Sequence, residues 1–223
     1  MKKQIIIGIL ILGFGLGTAA MAQEAPQPEK PKKLYIMPTI GYRTSGTFEV
    51  ESTDSPYTGY RIDAAFTYGL SFGYHLSPIL AVEAMWSRAD PSIYGTAPAV
   101  DETPAVKDFL FKAAQDHLQA NLLLSTGYTL GAVKPFFVAG LGMTSLNPEG
   151  DTTGFTRFSW SFGLGFDAMF SKSLGVRAEG KFSPTYINTI DAVLVEWPGG
   201  SQTTSLRNTM TQWVFQAGVF YAF

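Results

Sequence analysis

Arg177, Glu179 and Lys181 follow one another at a spacing of two, so any extended stretch sets a cation, an anion and a cation on one side, where they need water or each other. Other residue types that do chemistry are sparse. Asp116 beside His117, with serines elsewhere in the chain, has the composition of an acid–base pair with a nucleophile. A hydrolase or acyltransferase also needs nucleophile, base and orienting group within hydrogen-bond reach, and no segment supplies a matching set. The chain has no cysteine and two histidines, which excludes thiolate metal sites, thiol nucleophiles, disulfides and lipidation of an N-terminal cysteine. No catalytic, metal-binding or cofactor-binding residue is therefore assigned, and the chain is not read as an enzyme. The formal charge of -2 comes with scattered Lys and Arg and no basic stripe, so nucleic acid is not an expected partner.

The elements that must position these residues are strands. Over residues 62–74 the even positions are Ile62, Ala64, Phe66, Tyr68, Leu70, Phe72 and Tyr74, against Asp63, Ala65, Thr67, Gly69, Ser71 and Gly73 at the odd ones. One face is apolar and the other small or polar. The pattern recurs over 158–170, where Phe158, Trp160, Phe162, Leu164, Phe166 and Phe170 oppose Ser159, Ser161, Gly163, Gly165 and Asp167. It recurs at the end, where Trp213, Phe215, Ala217, Val219, Tyr221 and Phe223 share a face. Weaker runs over 34–43, 80–87, 117–130, 135–146 and 174–187 bring the number of strands to eight. Connections alternate: tight near 77–78, 131–134 and 171–173, long near 44–60, 88–116, 147–156 and 188–209.

This predicts an all-β fold, an eight-stranded antiparallel up-and-down transmembrane barrel with short periplasmic turns, long extracellular loops and both termini periplasmic. A soluble sandwich or barrel would turn its large apolar residues inward, whereas here six or seven consecutive large apolar positions need a lipid-facing exterior. Ahead of the barrel, Lys2 and Lys3, an apolar run to Gly17 and the small residues Ala20 and Ala22 are expected to form a signal peptide, cleaved after residue 22. Residues 23–33 carry three prolines among Gln, Glu and Lys, as expected of a flexible periplasmic tail, and 34–223 form the barrel.

Arg43, Asp63, Glu83, Asn121, Asp167, Arg177, Glu179, Lys181 and Gln216 are the candidates for the bore. A three-residue turn at 171–173 sets Asp167 directly across from Arg177, an opposite-charge pair on the ladder. Eight strands leave a bore that side chains just fill, which favours a charge-paired plug; the alternative is a gated pore in which Arg177 or Lys181 exchanges acidic partners. His75 and His117 fall at opposite ends and cannot share a site. Thr103-Pro104 followed by Val106, Phe109, Leu110 and Ala113 at helical spacing predicts a short amphipathic helix in the second outer loop. Tyr57, Tyr60, Tyr94 and Trp197 are candidates for an interfacial girdle or a docking surface. Which face of strand 135–146 meets lipid stays open, because three- and four-residue turns at Gly131 give opposite answers.

On the terminal strand, where Val219, Tyr221 and Phe223 form an alternating aromatic ending, and more weakly on Lys134-Pro135-Phe136-Phe137, the chain resembles the small OmpA/OmpX-type outer-membrane barrels, a porin-like or opacity-type family. The resemblance implies residence in the bacterial outer membrane among lipid and lipopolysaccharide, recognition of the C-terminal signal by the barrel assembly machinery, and a monomer. It implies a structural or surface-interaction role, with the outer loops meeting a ligand or host partner that the residues do not name. A narrow pore or apolar conduit, as in OmpW-type barrels, is the alternative, and a lipid-modifying barrel enzyme the second. No C-terminal peptidoglycan-binding domain is expected.

Overall fold

The computed structural model describes residues 33–50, 59–96, 107–149, 154–187, 192–197 and 200–223. They form twelve strand segments: β1 (Leu34–Arg43), β2 (Gly46–Val50), β3 (Gly59–Ile62), β4 (Ala65–His75), β5 (Leu80–Ala89), β6 (Ser92–Thr96), β7 (Lys107–Ser125), β8 (Val133–Pro148), β9 (Phe155–Met169), β10 (Leu174–Ile187), β11 (Ala192–Trp197) and β12 (Gly200–Ala222). Antiparallel pairing runs β1–β4–β5–β7–β8–β9–β10–β12, and β12 returns to β1 with Tyr35 opposite Ala222 and Arg43 opposite Val214. The result is a ring of eight strands without an edge, which is the condition for strands to cross hydrocarbon. β2, β3 and β6 continue the strands begun by β1, β4 and β5 at the end away from the termini, and β11 forms a hairpin with β12.

The alternation sorts side chains as the sequence predicts. On β4, Phe66 is 83% exposed on the outside while its neighbour Thr67 is 4% exposed in the bore. Ile40, Phe72, Leu141, Phe162, Leu164, Phe215 and Tyr221 continue the apolar exterior, a surface suited to lipid rather than water. On β10 the inward face is Arg177, Glu179, Lys181 and Ser183, all buried. The turn before it has the expected register: Phe170 N–H donates to the Leu174 carbonyl at 2.9 Å, and Arg177 stands opposite Asp167.

The open question over β8 is answered by a reversal at Gly131-Ala132, where Leu130 pairs with Val133 and Gly131 takes a φ of 65°, a value that favours glycine. Phe136 then points inward at 2% exposure and Phe137 outward at 56%.

Four expectations need correction. The strand over 62–74 is interrupted at positions 63 and 64, which separate β3 from β4 and shift the alternation by one. Tyr60 and Ile62 therefore turn inward, and Tyr60 is a core residue rather than part of a girdle. Asp63 leaves the lumen for the same reason: its backbone N–H bonds to the Ser92 carbonyl, and its carboxylate meets Arg61 at 3.1 Å with both side chains about 40% exposed (39% and 41%). The helix expected around 103–113 is strand wherever it is described, since β7 begins at Lys107. There Phe109 faces Tyr94 across the ladder with ring centroids 5.8 Å apart, and backbone pairing with β6 outweighs a helical spacing of four apolar residues. Residues 103–106 lie outside the described residues, as do Tyr57, the side chain of Trp197 and residues 1–32.

A third difference concerns length. β7 ends at Ser125 rather than 130, while β12 begins at Gly200, well ahead of the predicted strand. The fourth is the long connection expected over 88–116, which is largely strand where it is described: β5 runs to Ala89, β6 covers Ser92–Thr96 and β7 begins at Lys107, with a break at Pro91, which has no N–H to give the ladder and whose carbonyl accepts from Ala113.

Candidate functional site in the barrel lumen

The lumen is layered. Nearest the termini, Arg177 reaches inward from β10 and is 2% exposed. Its Nε and Nη2 donate to Asp167 Oδ1 and Oδ2 at 2.7 and 3.0 Å, a two-point grip set by the β9–β10 register. Nη1 donates to Glu83 Oε2 at 2.8 Å and to Tyr35 Oη at 2.9 Å, Tyr35 donates to the same Glu83 oxygen at 2.9 Å, and Asn121 donates to Glu83 Oε1 at 3.0 Å. Charge-assisted bonds of this length are among the strongest that side chains make.

Rings close around the guanidinium. Its carbon lies 4.9 Å from the Tyr35 ring centre, 4.9 Å from Phe136 and 5.7 Å from Phe220, so the cation is held by carboxylates in one direction and aromatic faces in others. The bore is wide enough for these rings only because glycines lie behind them. A Cβ on Gly73 would stand 1.9 Å from the Tyr35 ring, and one on Gly165 2.3 Å from Phe136.

The next layer is an ion pair along one strand: Lys181 Nζ stands 2.8 Å from Glu179 Oε1, which also accepts from Gln216 Nε2 at 2.6 Å. Beyond it Arg43 crosses from β1 to donate to Ser87 Oγ at 3.3 Å and to meet His117 Nδ1 at 3.2 Å. Gln115 donates to Gln212 at 2.8 Å, and the Thr144 and Thr185 hydroxyls lie 2.9 Å apart. At the far end the interior turns apolar, with Tyr60, Ile62, Ile93, Ala113, Leu146, Ile187 and Met210 in one cluster.

Glu83, Asn121, Asp167 and Arg177 thus share one network, Glu179, Lys181 and Gln216 a second, and Arg43 stands in a third. Asp116 and His117 point to opposite faces of β7: the carboxylate is outside with the Trp86 indole at 3.3 Å, the imidazole inside with Arg43. They form no dyad. His75 keeps to the terminus end, its ring 5.4 Å from that of Tyr35.

The plug's aromatic members, Tyr35, Phe136 and Phe220, were not predicted for the bore. Tyr35 alternates with Met37, Thr39, Gly41 and Arg43 on β1, so the pattern that placed Arg43 also places Tyr35. Phe136 depended on the unsettled turn, and Phe220 lies on the face opposite Tyr221.

Residues 9–223 match the family model described as outer membrane protein beta-barrel domain. Among solved structures, the chain is similar to the outer membrane protein OprG from Pseudomonas aeruginosa, with 15% identity, a TM-score of 0.62, and coverage of 86% of this chain and 97% of that one. It is similar to Neisserial surface protein A at 12% identity and a TM-score of 0.53, covering 85% of this chain and 97% of that one. The outer membrane protease OmpT from Escherichia coli also appears, at 9% identity and a TM-score of 0.48, covering 89% of this chain and 99% of that one. No curated protein matches at the sequence level.

Proposed function

Because the chain belongs to the family of outer-membrane protein β-barrel domains, we propose that it is a closed barrel of the bacterial outer membrane, serving envelope structure and surface interaction rather than axial transport. The observation that carries this reading is the Arg177 layer: one guanidinium, two carboxylates and three rings occupy the bore of an eight-stranded ring, whose interior is no wider than its side chains. Breaking the layer would leave a buried charge without its partner, which disfavours spontaneous opening. The termini and short turns lie in the periplasm, and the opposite end, with its longer connections, is the face that meets the exterior. No reacting group is invoked, since Asp116 and His117 are on opposite sides of the wall.

A flux assay tests this. Folded protein in liposomes should leave the uptake of a small sugar at the level of protein-free vesicles, and uptake that rises with protein content would overturn the closed reading.

A second reading rests on the apolar far end, where Ile62, Ile93, Leu146, Ile187 and Met210 line the interior above a polar bore. A barrel of this kind receives apolar solutes at its outer mouth. Saturable enhancement of a polarity-sensitive apolar dye, lost in Ile62→Asn, supports it, and a signal equal to that of empty micelles counts against it.

A further inference from the structure

Arg43 is the cation of the lumen that the plug does not use. It is 1% exposed, and its Nη2 is occupied by Ser87 Oγ at 3.3 Å and His117 Nδ1 at 3.2 Å. A guanidinium has no acceptor, so His117 Nδ1 accepts and the neutral ring carries its proton on Nε2. That assignment leaves a set of donors. Arg43 Nε and Nη1, His117 Nε2 and Gln119 Nε2 are all buried and have no hydrogen-bond partner among the described residues, while Gln119 Oε1 accepts from Ser161 at 3.4 Å. His117 and Gln119 occupy the same inward face of β7, two residues apart.

The carboxylates that could compensate make their ion pairs elsewhere, Glu179 through Oε1 alone, its Oε2 having no hydrogen-bond partner among the described residues. Among the described residues, the buried acidic side chains are Glu83, Asp167 and Glu179. Glu83 and Asp167 hold Arg177, and Glu179 holds Lys181 and Gln216. Asp116, the acid next to His117 in sequence, is on the outer face with Trp86 and Arg88. Arg43 itself touches Ser87 and His117 and stands opposite Val214 on β12, while Thr144 faces His117 across the ladder and bonds to Thr185. Among the described buried side chains three cations stand against three carboxylates, but unevenly along the lumen, with two carboxylates paired to Arg177 and none paired to Arg43. Buried cations and buried donors both call for a negative acceptor.

We propose that Arg43, His117 and Gln119 form a binding site for one small monovalent inorganic anion of the halide class, held in the lumen between the Lys181 layer and the apolar far end. One guanidinium with no carboxylate bonded to it matches one negative charge, and N–H donors without a metal suit a halide. A phosphate would bring more negative charge than the site neutralises, and would set it against Glu179 in the adjacent layer. The site stands whether or not the bore conducts.

The test is chlorine-35 NMR of the full folded barrel in zwitterionic detergent micelles, with folding verified by heat-modifiable gel migration. Wild type should broaden the chloride line beyond the micelle blank, saturably, and bromide should reverse the broadening. Arg43→Met should abolish the excess and Gln119→Leu should weaken halide affinity several-fold. Absence of saturable broadening in wild type overturns the proposal, as does reversal by phosphate but not by bromide. If Arg43→Met fails to fold, Gln119→Leu decides: an unchanged bromide dependence overturns the site, and a several-fold weaker one supports it.

Discussion

Two buried arginines share one lumen and are treated in opposite ways. Arg177 is gripped at two points by Asp167, bonded to Glu83 and Tyr35, and set against three rings. Arg43 is as deeply buried but meets one serine and one histidine nitrogen. The difference shows that burial depth does not decide what a lumen charge contributes. What decides it is what the charge would leave behind if removed: two stranded carboxylates in the first case, and none in the second. Arg177 is therefore a structural closure, while Arg43 is a cation with donors to spare.

Substitution separates the two most sharply. Arg177→Met should cost about 3–5 kcal/mol, because it leaves Glu83 and Asp167 buried without their cation. Urea unfolding in micelles measures this, and adding Glu83→Gln and Asp167→Asn to the same chain should recover part of the loss. Recovery of nothing would mean that packing of the guanidinium against the rings, rather than its charge, holds the layer. Gly73→Val comes next, at about 1–3 kcal/mol, since the Tyr35 ring has nowhere to go when a side chain rises beneath it. A variant as stable as wild type would show that the layer can slide along the bore.

Arg43→Met should change stability by at most about 1 kcal/mol in halide-free buffer, because no carboxylate loses a partner and an apolar side chain of similar length fills the volume. A loss as large as that for Arg177→Met would erase the contrast between the two sites. The smallest effect belongs to the outer wall, where Arg61→Ala should cost no more than about 0.5 kcal/mol, because the Arg61–Asp63 pair is part-exposed.

Much of this was legible in the residue order. Strand 174–187 has the predicted limits, and the three-residue turn before it set Asp167 across from Arg177, because side-chain period and turn length together determine which residues face each other. Period alone assigns a side chain to a face but not to a depth or a direction around the ring. Tyr35 meets Glu83 over 48 positions of sequence and Arg177 over 142, separations that only closure of the ring brings together. The failures have local causes. The break at positions 63 and 64 is invisible to a run of alternating residues and moves Asp63 outside, while β6, too short to show a clear period, lies in a stretch expected as a long connection. The region from Lys107 to Ala113 satisfied a helical spacing and a strand pairing at once, and the neighbouring ladder decided between them.

The central claim is that the Arg177 layer closes the bore, and single-channel recording in a planar bilayer tests it most directly. Folded wild-type protein should give a current indistinguishable from bare lipid, and a triple change of Tyr35, Glu83 and Arg177 to serine should give discrete steps. Stable steps from the wild type, insensitive to these substitutions, would contradict the account.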